Sequence, residues 1–328
     1  MITPINQARA LAGTVTPGDT PGFPVTISVP GSYELTSNLE VPAASAQAIV
    51  ITASHVTLNL NGFLIFKKAP DLPPAILAGP GVGFVAVSNG HIRGMGGIQL
   101  EGAGNRVEKV QLEGAAPQSP GIRLGDLGVA IHNQVMNADT AFTVGKNGLV
   151  KDNVAANSAH GVFTGENSIV EGNSLGGGAA QASIVVGHGS IVTRNIAGVN
   201  DAGIQAGSFC LVKENTVRNV GDFGIGAGDG SVVAGNRVNH VGHGPGITVG
   251  VACTVRDNAV TGCGEGIRAT EGSVINANAV GQCIGPGLHL GASSGYANNV
   301  LAGNNGAGPQ VTGGIQTDKN VCGTVLCP

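Results

Sequence analysis

The chain has 328 residues, of which 56 are Gly and only 11% are charged, and its net charge is −4. Nucleic acids and anionic membranes are bound mainly through clustered Lys and Arg, so this charge balance argues against both as partners. The 42% hydrophobic content is that of a folded protein, and no apolar stretch approaches the roughly 18 residues of a membrane span.

The N-terminal segment ITPINQARALAG follows Met1 directly. It contains no leader peptide, so we interpret it as the mature start of an exported chain, secreted or periplasmic, whose leader was removed. Thr3 is an N-cap residue type, Pro4 suits a first helical position and Gly13 suits a helix end. The sequence therefore predicts a short helix over residues 4–12 that covers the first coil of the fold.

Further along the chain, one sequence motif recurs at intervals of 20 to 22 residues. Its most regular marker is an Asn, found at Asn133, Asn153, Asn173, Asn195, Asn215, Asn236, Asn258, Asn278 and Asn298. Between these Asn residues lie short Val- and Ile-rich segments that alternate apolar with polar residues, with no room for a helix of about ten residues. The period predicts a solenoid of short strands whose units stack to bury their apolar sides.

The repeated residues have physical reasons in such a stack, where equivalent residues of neighbouring coils lie about 4.8 Å apart. We expect each Asn to adopt left-handed backbone angles at a turn and to bond through its amide to the Asn above and below, as an asparagine ladder. A Gly opens the strand that reads Gly-Ile, as at Gly203 and Gly266, and we expect a positive φ there.

The Asn-x-aliphatic and Gly-Ile-x-aliphatic refrain resembles that of the right-handed parallel β-helix superfamily, the pectin-lyase-like fold, over about residues 56–315. The resemblance implies one all-β domain of about 11 coils. Residues 1–54 would form the N-terminal cap and first coils, residues 55–315 the repeat coils, and residues 316–328 a tail over the last coil. Lyases, hydrolases, epimerases, adhesins and phage spikes share this shape, so the fold does not fix an activity.

The chain has six cysteines, Cys210, Cys253, Cys263, Cys283, Cys322 and Cys327. Cys263 and Cys283 each follow a repeated Asn by five residues, so they share a column on adjacent coils and are candidates for a disulfide. Cys322 and Cys327 are candidates to close a small terminal loop. Cys210 and Cys253 lie two coils apart, about 9.6 Å, and are predicted to remain buried thiols. Two disulfides suit an exported protein, and a cytosolic protein with six free thiols is the alternative.

Candidate catalytic residues follow the repeated Asn by seven positions, where Asp222, His243 and Glu265 fall on three consecutive coils. Two carboxylates about 9.6 Å apart approach the spacing of an inverting glycosidase, with the His as a proton-transfer group. Resemblance to polysaccharide lyases of similar fold implies acids at Asp222 and Glu265, with Arg268 as the base. Those lyases often hold Ca²⁺, but no tight Asp cluster appears here, and no other cofactor is implied.

The outward position of the Gly-Ile strand supplies candidate substrate-binding residues, Thr248, His289 and Phe163, beside Arg268. The competing interpretation is that Asp, His and Glu are common in solvent-facing turns, and that stacked coils align some of these residues by chance.

Two classes of function therefore remain open. The first is an exported carbohydrate-active enzyme, a lyase, hydrolase or epimerase that acts on a polysaccharide or cell-surface glycan. The alternative is a non-catalytic structural, adhesive or assembly protein built on a rigid solenoid. Self-association as a homo-oligomer through an exposed face is a further hypothesis, with Phe163 and Val185 as its features.

Overall fold

The computed structural model describes residues 2–43, 47–68, 73–114, 120–177, 181–306 and 308–327. Each full turn of the solenoid consists of three short strands joined by tight loops. The described residues form an all-β solenoid of the right-handed type with about 13 turns. The expected number of about 11 coils was too low. Strands already stack between Val25 and Ile51, before the Asn refrain begins. The chain divides into two compact units, Met1–Gly165 (unit 1) and Glu166–Pro328 (unit 2).

Unit 1 contains β1 (Ile2–Ile5), α1 (Gln7–Ala12), β2 (Val25–Ile27), β3 (Gly31–Leu35), β4 (Leu39–Val41), β5 (Ile49–Ile51), β6 (Val56–Asn59), β7 (Leu64–Lys67), β8 (Pro74–Ala78), β9 (Ala86–Leu100), β10 (Arg106–Gly114), β11 (Ile122–Leu124), β12 (Val129–Ile131), β13 (Gln134–Met136), β14 (Thr140–Val144), β15 (Leu149–Lys151), β16 (Val154–Ser158) and β17 (His160–Thr164).

Unit 2 contains β18 (Ile169–Glu171), β19 (Ser174–Gly177), β20 (Ala182–Val186), β21 (Ile191–Thr193), β22 (Ile196–Gly198), β23 (Ala202–Ala206), β24 (Leu211–Lys213), β25 (Thr216–Val220), β26 (Phe223–Ala227), β27 (Val232–Ala234), β28 (Arg237–Val241), β29 (Pro245–Val249), β30 (Thr254–Arg256), β31 (Ala259–Thr261), β32 (Glu265–Ala269), β33 (Val274–Asn276), β34 (Ala279–Gly281), β35 (Leu288–Leu290), β36 (Gly295–Ala297), β37 (Val300–Ala302), β38 (Val311–Thr312), β39 (Ile315–Gln316), β40 (Val321–Cys322) and β41 (Val325–Leu326).

Strands pair in parallel with the equivalent strand one turn further along the chain. In unit 1, for example, β12 pairs with β15 and places Ala130 opposite Val150. Two strands of each turn belong to the face that we call A, and the third, the Gly-Ile strand, belongs to the face that we call B. Inward residues stack into apolar columns: on face A of unit 2, Val212, Val233 and Val255 are fully buried. Each such side chain contributes about 1.5–3 kcal/mol through removal from water.

Buried Asn side chains form hydrogen bonds with backbone groups at the bend between the two A strands. In unit 1, the backbone N–H and the Nδ2 of Asn133 both donate to Oδ1 of Asn153, at 2.8 and 3.1 Å. In unit 2 the same pair of bonds links consecutive members of one series, Asn173, Asn195, Asn215, Asn236, Asn258, Asn278, Asn299 and Asn320.

Two details of the expected Asn positions were wrong. From Asn133 to Asn299, the left-handed residue is the one before the buried Asn, such as Glu214 before Asn215, with φ 57°. The Asn side chain must point inward to reach its neighbours, so the residue before it makes the bend. Near the C-terminus the series passes through Asn299, which is fully buried, whereas the predicted Asn298 is the exposed left-handed residue.

Most B strands open with a Gly because there is no space for a side chain, and the expectation of a positive φ was wrong. Gly203 and Gly224 do not have positive φ angles. A Cβ at Gly203 would lie 2.4 Å from the carbonyl oxygen of Gly224, and one at Gly224 would lie 2.4 Å from that of Gly246. Real Cβ atoms do not approach oxygen so closely, so these Gly residues permit neighbouring turns to stack tightly.

The N-terminal helix exists but begins later than predicted. Residues Ile2–Ile5 form β1, which pairs with β3. The N-cap is Asn6, whose side-chain oxygen accepts the N–H of Arg9 at 2.9 Å, and Gly13 ends the helix with φ 65° as expected. Pro4 lacks an N–H but sits in a strand at the end of the stack, where a missing donor is tolerated. The capping role of the helix stays a prediction.

The described cysteines fall into one disulfide and four thiols. Cys322 and Cys327 form the predicted terminal disulfide, across the antiparallel pair of β40 and β41. The remaining four, Cys210, Cys253, Cys263 and Cys283, are buried thiols. The candidate disulfide between the adjacent coils is therefore not present. Instead the two thiol groups share a hydrogen bond, which together with burial raises the pKa of Cys263.

Among the described residues, no helix has the length and apolar content that a bilayer crossing requires.

Candidate functional site

The outward residues of the B strands form a column in unit 1. Pairing of β9, β11, β14 and β17 places Gln99 opposite Arg123, Arg123 opposite Thr143, and Thr143 opposite Phe163. Residues on either side of each outward residue point inward and are buried, such as Ile122 and Leu124. This period of two exposes a row of functional side chains on a rigid surface.

Two depressions flank this column in unit 1. The larger, about 410 Å³, lies at the C-terminal ends of the strands and is lined by Glu101, Arg123, Asp126, Thr143, Lys146 and Phe163. The smaller, about 270 Å³, lies at their N-terminal ends and adds Pro120, Asp139 and Thr140 to the same column. We call the two together the B-face groove. Phe163 borders both halves, and 49% of its surface is exposed.

The turn that closes the larger half of the groove is fixed by a carboxylate. Oδ1 of Asp126 accepts the backbone N–H of Lys146 at 2.8 Å. A Cβ at Gly145 would lie 2.3 Å from the same oxygen, so only Gly permits this contact. The groove thus presents carboxylates and two basic side chains around an aromatic ring. Carboxylates accept and basic groups donate hydrogen bonds, and the ring offers an apolar surface.

In unit 2 the structure brings together three of the residues that the sequence selected. Nε and Nη2 of Arg268 donate to the two carboxylate oxygens of Glu265, at 2.8 and 2.9 Å. Nδ1 of His289 lies 3.3 Å from both oxygens. The Arg268 hydrogen bonds, with help from His289, lower the pKa of Glu265. The carboxylate is therefore ionised at neutral pH, and both of its oxygens are engaged.

The predicted vertical line of Asp222, His243 and Glu265 was wrong. Glu265 lies opposite Pro245 in the register of β29 and β32. The strand Gly follows the repeated Asn by nine, ten and eight residues in these three repeats, so equal counts from the Asn do not give equal positions. Asp222 and His243 are exposed in the turns before their strands. In the described part of the chain, neither side chain has a hydrogen-bond partner. Their catalytic roles stay predictions.

The spacing of the other predicted residues agrees with the register. Thr248 lies opposite Arg268, and Arg268 lies opposite His289. Sequence reasoning missed a neighbouring aromatic residue, Phe223. A Cβ at Gly226 would lie 3.0 Å from the Phe223 ring, so this ring covers the gap that Gly226 leaves in the outward column. A Gly in an outward position near an aromatic residue was the available signal.

No group of three or more His, Cys, Asp and Glu side chains in the described ranges is arranged to hold a metal ion.

The chain matches no protein-family model and no curated protein. Among solved structures, it is similar to the A-module of mannuronan C-5 epimerase AlgE6 from Azotobacter vinelandii, with 13% identity and a TM-score of 0.48, over 88% of this chain and 91% of that one. It is also similar to DFA-IIIase from Arthrobacter chlorophenolicus A6, with 14% identity and a TM-score of 0.43, over 90% of this chain and 87% of that one.

The Dettilon tailspike protein gp208 is similar with 16% identity and a TM-score of 0.44, over 89% of this chain and 59% of that one. At such identities and TM-scores, these likenesses are no guide to the ligand or reaction of this chain. The strand pairing defines the class of protein, a parallel β-solenoid with polar and aromatic side chains displayed on its B strands.

Proposed function

We propose that this protein binds a polysaccharide in the B-face groove. The observation that carries the proposal is the half-exposed ring of Phe163, which borders both depressions and lies in register with Thr143. A sugar ring has apolar faces and a hydroxyl rim. The aromatic ring supplies a flat apolar surface, and the carboxylates and basic groups supply acceptors and donors for the hydroxyls.

Binding is favoured over catalysis at the predicted unit 2 residues because of the state of Glu265. A general acid must carry a proton near the working pH, and the pKa of Glu265 is lowered by Arg268 and His289. Arg268, in turn, is paired with Glu265, which raises its pKa and makes it a poor base. These groups therefore suit ligand recognition better than proton transfer.

The test is affinity electrophoresis of the protein through gels that contain neutral or uronic-acid polysaccharides. We expect at least one polysaccharide to retard the protein, and Phe163→Ala to weaken binding roughly tenfold through loss of ring contact. Phe209→Ala is the matched control, since Phe209 is 72% exposed and lies outside the groove. Equal retardation of both variants would place polysaccharide binding outside the B-face groove, and no retardation by any polysaccharide would favour the structural or assembly role.

The same polysaccharides should be incubated with the protein and assayed for new reducing ends and unsaturated products, with Asp222→Ala and Glu265→Ala alongside. Unchanged polysaccharides are the expected result. Product formation that either substitution abolishes would restore the enzyme hypothesis at these residues.

We also propose that the protein works in an oxidising compartment outside the cytosol. The Cys322–Cys327 disulfide supports this, since such bonds rarely persist in a reducing cytosol. Mass spectrometry of protein alkylated during lysis of its native source tests the proposal, and a fully reduced pair would contradict it.

A further inference from the structure

A further depression lies on face A of unit 1, lined by residues of β7, β9, β10 and β13 that do not belong to the outward column of the B-face groove. Its volume is about 330 Å³, and its lining includes Leu64, His91, Arg93, Gln111, Glu113 and Met136. We call it the A-face cleft. A volume near the lower end of ligand pockets suits a small molecule better than a polymer.

The four polar residues of the A-face cleft form a two-by-two array. Pairing of β9 with β10 places His91 opposite Gln111 and Arg93 opposite Glu113. The coil before them contributes the half-buried Leu64, which lies opposite His91, and the coil after them contributes the half-buried Met136, which lies opposite Glu113. Polar groups thus occupy the centre of the cleft, and apolar side chains bound it on both sides.

An irregularity of the backbone adjoins this array. The register of β9 and β10 shifts between Glu113 and Gly114, one residue after the Arg93–Glu113 pair. On β9 the extra residue is accommodated at Gly94, with φ 71°. A Cβ there would lie 2.5 Å from the carbonyl oxygen of Lys67, so a side chain could not be placed at this position. Bulges commonly re-aim side chains next to binding sites.

The two charged side chains of the cleft make no contact that stabilises the described part of the fold. Arg93 and Glu113 are exposed and adjacent in register, yet in the described structure neither side chain makes a hydrogen bond or ion pair. Other opposite charges on this solenoid do pair, as Arg106 does with Glu108 on β10. The cleft therefore offers one cationic group and one anionic group, side by side, to a ligand.

We propose that the A-face cleft binds a small zwitterion, an α-amino acid with an apolar side chain. Its carboxylate would pair with the guanidinium of Arg93, and its ammonium group would pair with the carboxylate of Glu113. Gln111 and His91 supply further hydrogen-bonding groups, and the side chain of the ligand would contact Leu64 or Met136. A ligand with a single charge would satisfy one of the two ionic groups and be repelled by the other, so the pair selects for a zwitterion.

The experiment is calorimetric titration of the full chain with L-leucine, N-acetyl-L-leucine, L-leucinamide and D-glucuronate. We expect L-leucine to bind at one site, and each leucine analogue, which lacks one charge, to bind at least roughly tenfold more weakly. Glucuronate should not bind in this cleft. The ligand series needs no substitution, so it tests the proposal even where a variant fails to fold.

Substitutions give a crossed pattern that a general loss of structure would not produce. Arg93→Gln should remove the preference for L-leucine over L-leucinamide, and Glu113→Gln should remove the preference over N-acetyl-L-leucine. The matched control is Arg106→Gln with Glu108→Gln, which removes an ion pair from the same strand but outside the cleft, and it should bind L-leucine as the wild type does.

Three results would overturn the proposal. The first is no heat of binding for L-leucine up to its solubility. The second is equal binding of L-leucine and both of its analogues, and the third is binding of glucuronate that Arg93→Gln abolishes. The third would assign the cleft to acidic saccharides. Polysaccharide binding through Phe163 can fail or succeed independently, because its residues do not line this cleft.

Discussion

Removal of one buried Asn from unit 2 should destabilise the protein far more than removal of a neighbouring surface Asn. Oδ1 of Asn236 accepts the backbone N–H and the Nδ2 of Asn215, at 2.9 and 3.0 Å. Its own Nδ2 donates to the carbonyl oxygen of Val212 at 2.9 Å and to Oδ1 of Asn258 at 3.0 Å. The side chain is 1% exposed, so water cannot replace these partners.

The magnitude follows from counting which groups lose their partners in Asn236→Ala. The buried N–H of Asn215 loses its acceptor, which costs about 2 kcal/mol. The two amide protons of Asn236, shared among Val212, Asn258 and the carbonyl oxygen of Ala234, are together worth about 2 kcal/mol more. The Nδ2 of Asn215 keeps the carbonyl oxygens of Val192 and Lys213. We therefore expect a loss of about 4 kcal/mol in the free energy of unfolding.

The assay is urea denaturation of wild type, Asn236→Ala and Asn239→Ala, followed by circular dichroism. Asn239 lies on the same coil and is half-buried, and its side chain has no hydrogen-bond partner in the described structure, so its removal should cost less than about 0.5 kcal/mol. Amide exchange adds a local measurement, since the N–H of Asn215 should exchange faster in Asn236→Ala. The reasoning fails if the two variants unfold within about 1 kcal/mol of each other.

Three further predictions concern a glycine, a carboxylate and the thiols. Gly224→Ala should destabilise the protein by about 2 kcal/mol or more in the same urea assay because its Cβ would meet the Gly246 oxygen at 2.4 Å, whereas Gly79→Ala, with open space around it, should be nearly neutral. Because the pKa of Glu265 in the folded protein lies below its ordinary value of 4.5, its ion pair stabilises the folded state above pH 4.5. The melting-temperature advantage of wild type over Glu265→Gln should therefore shrink as the pH falls from 4.5 through the lower folded-state pKa, and an advantage that grows in acid would contradict this. Iodoacetamide should label four thiols in unreduced, denatured protein but none in the native state, and a count of two would show that Cys263 and Cys283 are oxidised.

Sequence reasoning succeeded where a residue is constrained by its position within one coil. The period of 20 to 22 residues predicted strands that stack in parallel, and the pairing of Thr248, Arg268 and His289 follows from their common offset from the strand Gly. It failed where the connection between strands varies in length. Asp222, His243 and Glu265 share an offset from the Asn but not from the strand, so they do not share a position in the register.

The sequence by itself determined the solenoid, because a repeat too short for its own core must stack on its neighbours. It also determined the outward positions of Phe163 and Arg268, because side chains alternate along a strand. Only the tertiary structure decided which outward residues border a depression. It also decided that Arg268 pairs with Glu265, whereas Arg93 has no partner among the described residues. Those outcomes depend on turn lengths, on bulges and on whether a side chain is long enough to reach the next coil. None of these features repeats with the period of the sequence, so the period could not predict them.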